Sequence, residues 1–101
     1  MSVSFEKVEN VLIANISGDI DHHSAVDIRT EIDTEVQTFS PKILKLDFQR
    51  VGFMDSSGIG LVLGRYKLMQ GLGGEITVVN TPNYIKKVMI LAGLDRIADI
   101  H

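Results

Sequence analysis

A chain of 101 residues, 45% hydrophobic and 23% charged, has room for one soluble globular domain with a modest core and no more. It contains no cysteine, so it must hold together without disulfides, in keeping with a reducing cytoplasm. The net charge of -3, with both signs interspersed, offers a nucleic acid no block of Lys and Arg, and no apolar run reaches the roughly 20 residues of a membrane-spanning helix.

The first residues, Met1-Ser2-Val3-Ser4-Phe5-Glu6, lack the basic region and apolar stretch of a signal peptide. Residues 5–8 and 11–16, separated by Glu9-Asn10, read as a β-hairpin, with Gly18-Asp19 closing the second strand. Ser24 opens a helix, with Asp27 placed nearly as in a capping box, and Ala25, Ile28, Ile32 and Val36 form its apolar stripe. Residues 38–41 end that helix. Residues 42–48, short and apolar, read as a central strand. Residues 56–70 are helical, with Ile59, Val62, Leu63, Tyr66 and Met69 on one face, and Gly71, Gly73 and Gly74 stop them. Residues 75–79 are a further strand. Thr81 as N-cap and Pro82 at the first helical position start a third helix, whose apolar face is Ile85, Val88, Met89 and Ala92 and whose end is Gly93. Residues 96–100 are a candidate last strand. This alternation predicts an α/β fold: a mostly parallel mixed sheet with an N-terminal hairpin and helices packed on it. Functional loops belong at the carboxyl ends of its strands, and residues 18–24 and 53–58 qualify.

The sharpest local feature is Phe53-Met54-Asp55-Ser56-Ser57-Gly58-Ile59-Gly60, at a strand-to-helix junction. The first amides of a helix have no internal partners and lie at the positive end of its dipole. Asp55 or Ser56 can cap them, and the same place accepts an anion such as phosphate. Gly58, Gly60 and Gly64 are expected to let the helix approach the sheet closely. Capping is the plainer role for Asp-Ser-Ser, and other glycine motifs fit worse. A dinucleotide fingerprint needs Gly at the sixth position counted from Gly58, where Leu63 stands. A P-loop's Gly-Lys-Ser/Thr is absent. A nucleophile elbow needs Gly two residues before its serine, where Met54 and Asp55 precede Ser56 and Ser57.

In Gly18-Asp19-Ile20-Asp21-His22-His23-Ser24, two histidines stand beside acids. Neighbours in sequence rarely ligate one ion together, and no third histidine is near, so no metal is expected. A hydrolase built on Ser56, a histidine and an aspartate would need the two loops to meet, and no segment supplies a recognisable oxyanion hole. In its plainer role Asp21 caps a turn or a helix.

Leu46-Asp47-Phe48, followed by Phe53-Met54-Asp55-Ser56-Ser57-Gly58-Ile59-Gly60-Leu61-Val62-Leu63-Gly64-Arg65-Tyr66-Lys67, resembles the signature of the STAS family, in its sporulation anti-sigma factor antagonist branch. Gly18-Asp19-Ile20-Asp21-His22-His23 resembles that branch's other loop, and Gly73-Gly74-Glu75 and Gly93-Leu94 fall where the family has them. The resemblance spans nearly the whole chain and implies one STAS domain over residues 1–101, short of the C-terminal helix into which members commonly continue.

It further implies a non-enzymatic switch without a cofactor. Unphosphorylated members bind an anti-sigma factor that is also a serine kinase, carrying ATP or ADP, and so release the sigma factor for transcription. The kinase then phosphorylates one serine and the two separate; a metal-dependent serine phosphatase resets the cycle. The family's acceptor, the serine directly after the aspartate, corresponds to Ser56, and Asp21 corresponds to a partner contact. The implied partner-binding set is Asp21, His22, His23, Ser24, Asp55, Ser56, Ser57, Gly58 and Ile59, with neither nucleic acid nor membrane as partner. General-stress anti-sigma factor antagonists share the switch in another sigma pathway. The alternative of a different class is a nucleotide-binding or hydrolytic enzyme using Ser56, His22 or His23. A transporter-associated regulatory domain is disfavoured because the chain has no membrane segment.

Overall fold

The computed structural model describes residues 2–101. It begins with an antiparallel hairpin of β1 (Ser2–Val8) and β2 (Val11–Ile20), with Val8 opposite Val11 and Glu9 in the left-handed region at the turn (φ 55°). There follow α1 (His22–Phe39), β3 (Ile43–Met54), α2 (Ser56–Gly71), β4 (Glu75–Val79), α3 (Asn83–Leu91), a 3-10 turn (Leu94–Arg96) and β5 (Asp99–Ile100). The strands lie side by side in chain order, and every pair after the hairpin is parallel. Each crossover therefore steps in the same direction. Right-handed connections then bring all three helices to one face of the sheet.

The alternation of side chains along the strands agrees. Leu12, Leu44 and Ile76 are in register, as are Ala14, Leu46 and Val78, and all are buried. With Ile16 and Phe48 they meet Ile28, Ile32 and Val36 of α1, Val62 and Met69 of α2, and Ile85 and Met89 of α3. The opposite face carries Asn15, Lys45, Asp47 and Thr77, which are only partly covered. The expected α/β fold, with a mixed and mostly parallel sheet, is the one observed.

Several element boundaries differ from the sequence reading. Gly18-Asp19 does not close β2. The register slips on either side of Ser17 and Gly18, Gly18 takes a positive φ of 97°, and the strand continues to the buried Ile20. A bulge absorbs the extra length without ending the pairing. Ser24 does not open α1, and Asp27 is not its capping partner. Asp21 is the N-cap, and Ser24, at the third helical position, completes the box. β3 runs past residue 48 to Met54, because β2 continues beside it.

The buried stripe of α2 is Leu61, Val62, Arg65 and Met69, rotated from the expected one; Leu63 is exposed. Within α2, Gly58 is buried against Met54, whose Cγ and Sδ occupy the space an added Cβ would need. At Gly60 and Gly64 a Cβ would meet nothing within 4 Å, so these two do not serve close approach to the sheet.

Thr81 does not cap α3. Its amide donates to the carbonyl of His101 at 3.0 Å, which keeps the residue in line with the strand pairing, and Pro82 takes the N-cap position without a side-chain bond. Of the expected α3 face, Ile85 and Met89 are buried, whereas Val88 and Ala92 are exposed. The last strand is only Asp99–Ile100, because residues 94–96 form the 3-10 turn after Gly93 (φ 83°).

Candidate functional site

The two expected loops are single-residue junctions. Ile20, the last residue of β2, pairs with Met54, the last residue of β3, and the amide of Asp55 donates to the Ile20 carbonyl at 3.1 Å. The two parallel strands thus end level with each other. Asp21 and Asp55 follow directly, and each caps the helix that starts at the next residue. Hydrophobic register therefore delivers two helix N-termini, with their free amides and positive dipole ends, to one edge of the domain.

At the first junction, Asp21 Oδ1 accepts from the Ser24 amide at 2.9 Å, and the Asp21 amide donates to Ser24 Oγ at 2.9 Å. Ser24 Oγ in turn donates to the Asp19 carbonyl at 2.9 Å. The Ser24 amide bond holds the Asp21 carboxyl below its ordinary value against the opposing effect of desolvation, with help from the Ser24 hydroxyl and from His23. His22 and His23 are exposed in the first turn, their rings edge to face with centroids 5.9 Å apart.

At the second junction, Asp55 Oδ1 accepts from the Ser57 amide at 2.8 Å, and the Gly58 amide donates to the Asp55 carbonyl at 3.0 Å. Asp55 is the cap, which leaves Ser56 exposed at the first helical position with its hydroxyl free for chemistry. Ser57 and Ile59 are half-buried, and Gly58 is buried against Met54. Asp21, His22, His23 and Ser56 are thus the exposed members of the expected set. Ser24 and Asp55 are partly covered and hold the two caps.

Phe53 belongs to the expected loop but not to the expected partner contacts, and Tyr84 was not read from the sequence as part of the site. Phe53, next to the last residue of β3, is 50% exposed. Beside it, the Tyr84 hydroxyl of α3 donates to the Gly52 carbonyl and ties that helix to the end of β3. Alternation along β3 could have marked Phe53 as outward-facing; nothing local marks Tyr84.

The cap at Asp21 yields a pH prediction. Folding lowers this carboxyl's pKa, so its contribution to stability is present above the ordinary value of 3.8 and is lost as pH falls through the lowered one. Asp21→Ala should melt below the wild type near neutral pH, with the gap narrowing in acid. A gap in Tm that stays constant with pH would refute a charged cap.

The sequence profile of the STAS domain matches residues 2–101, which is the whole described chain. The chain belongs to the STAS domain family. It is similar to the anti-sigma F factor antagonist of Paenibacillus polymyxa, with 34% identity over 101 residues, covering 100% of this chain and 86% of that protein. The anti-sigma-B factor antagonist of Bacillus subtilis (strain 168) is 28% identical over 99% of this chain and 90% of its own length. Among solved structures, the anti-sigma factor antagonist SpoIIAA in its unphosphorylated form superposes with a TM-score of 0.84 at 30% identity, over 99% of this chain and 88% of that one. The phosphorylated form of the Bacillus cell fate determinant SpoIIAA superposes at 0.76 with 29% identity, over 99% and 91%. This STAS domain therefore shares its fold with a regulator whose structure is known with and without a phosphate.

Proposed function

We propose that this STAS domain is an anti-sigma factor antagonist switched by phosphorylation of Ser56. The observation that carries the reading is the level ending of β2 and β3, which places Asp21 and the exposed Ser56 on one edge. Unphosphorylated, that edge binds an anti-sigma factor with serine kinase activity and frees the sigma factor. Phosphorylated, it lets go, and a serine phosphatase restores it. The protein acts in the cytoplasm, without a cofactor and without catalysis of its own, in the control of sporulation transcription. Similarity to the P. polymyxa and SpoIIAA proteins supports the sporulation branch. The partner contacts are Asp21, His22, His23 and Ser56 directly, with Ser24, Asp55, Ser57, Gly58 and Ile59 shaping the edge.

A phosphate adds about -1.5 to -2 of charge and strong acceptor oxygens. At a helix start the free amides and the dipole accommodate it. At a protein interface the same group demands solvation and space, so the complex fails while the fold persists. That SpoIIAA superposes on this chain in both of its forms supports a fold that survives the modification.

Incubation with the host's anti-sigma factor and ATP, followed by peptide mapping, tests the reading. The phosphate should appear on Ser56; its appearance on Ser57 or elsewhere would overturn the assignment. The likeness to the B. subtilis protein supports a second reading, the same switch in a general-stress pathway. Binding assays against the host's several anti-sigma factors separate the two.

A further inference from the structure

A groove of about 310 Å³ runs between α1 and α2. It begins at His22 and Ser57, in the first turns of the two helices, and continues about two turns to Arg29 and Gly64. Its lining differs from the rest of the surface in two respects.

The first concerns the glycines. Gly60 and Gly64 lie one turn apart inside α2, where glycine destabilises a helix relative to alanine. Gly58 has a reason within the domain, since Met54 fills the space a side chain would need. Gly60 and Gly64 have none, because a Cβ at either would meet nothing within 4 Å. Their absent side chains form one wall of the groove, facing Ala25 and the half-exposed Val26. A local preference overridden without compensation inside the fold points to a body outside it.

The second concerns charge. The ionic residues lining the groove are Arg29 and Arg65, with His22 at the mouth, and no carboxylate is among them. Arg65 is only 6% exposed; its Nε lies 2.8 Å from Asp33 Oδ1 and its Nη1 donates to the Leu61 carbonyl at 3.3 Å. Burial lowers its pKa, Asp33 opposes this, and the charge of Arg29, which lines the same groove, adds to it. Arg29 is exposed, and Asp33 balances only one of these cations.

We infer that this groove receives an acidic segment of the anti-sigma factor, lying against Gly60 and Gly64 with a carboxylate directed at Arg29. The inference rests on the proposed antagonist function and extends its interface from the two helix starts down the seam between α1 and α2. Continuity through His22 and Ser57 and the cationic lining select this occupant. Phosphorylation of Ser56, the neighbour of Ser57, places negative charge where that segment enters, so like-charge repulsion contributes to release.

The test is calorimetric titration of the host's anti-sigma factor, with ADP bound, into four proteins: wild type, Gly60→Ala/Gly64→Ala, Arg29→Glu and Gly71→Ala. Gly71 is exposed at the far end of α2, and a Cβ there also meets nothing within 4 Å. The double alanine variant should melt above the wild type yet bind about tenfold or more weakly. Arg29→Glu should lose about as much, by a factor that shrinks as salt is added. Gly71→Ala should bind as the wild type does. A double variant that binds normally, or that melts below the wild type, overturns the groove and leaves the antagonist function intact. Normal binding by Arg29→Glu overturns the acidic occupant. A wild type that binds no anti-sigma factor overturns the proposed function itself.

Discussion

Ser56→Ala should fold as the wild type does, bind the anti-sigma factor and take no phosphate from it, which holds the pair in the sigma-releasing state. The substitution removes a hydroxyl that the fold does not use: Asp55 supplies the cap, through the Ser57 amide at 2.8 Å, and Ser56 stands outside it. Phosphorylation of the wild type should do the reverse, leaving the domain folded and reducing affinity by orders of magnitude, since each 1.4 kcal/mol or so lost at an interface is a factor of ten. Ser56→Asp should fold and bind weakly, short of the full effect because one carboxylate carries less charge than a phosphate. Amide chemical shifts of the two forms decide how the switch works. Changes confined to residues 55–60 and the first turn of α1 indicate local exclusion. Changes spread through the sheet and α3 would mean a rearranged fold, and the local mechanism would be wrong.

Gly58→Ala should cost about 1–3 kcal/mol of stability, as forced overpacking of a filled core does. An added Cβ would collide with Cγ and Sδ of Met54, which is itself buried. The consequence is also functional. Met54 pairs with Ile20 and directly precedes Asp55, so a displaced Met54 misaligns the two caps that present Asp21 and Ser56. Denaturant unfolding should show a lowered midpoint, and binding to the anti-sigma factor should weaken at temperatures where the variant is fully folded. Gly60→Ala, two residues away with open space around it, should instead gain stability. If both substitutions move the midpoint the same way, the account of Gly58 fails.

The chain's local chemistry was sufficient for the fold class. Alternating apolar residues in β2, β3 and β4 and the 3.6-residue stripe of Ile28, Ile32 and Val36 leave few ways to bury the core other than helices against a sheet. The strand-to-helix junction at Asp55 and Ser56 was legible too, although local chemistry left either residue as the cap, and only the structure gives that role to Asp55. What local chemistry did not contain was the outcome of competition between elements. Gly18 reads as a strand end, but pairing with β3 carries the strand through a bulge to Ile20. Ser24 reads as a helix start, but the level ending of β2 and β3 moves the start to His22 and makes Asp21 the cap. Thr81 reads as a cap, but its amide donates to the carbonyl of His101, at the other end of the α3 crossover. The face α2 buries is likewise settled by its packing in the core, which covers Arg65 and leaves Leu63 exposed. In each case a local preference of about 1 kcal/mol yields to hydrogen bonds and buried surface supplied by distant segments. The sequence by itself thus determined the kind of fold and, through the family resemblance, nominated Ser56 as the acceptor; the register of two parallel strands, a tertiary property, decided that this serine and Asp21 share one edge.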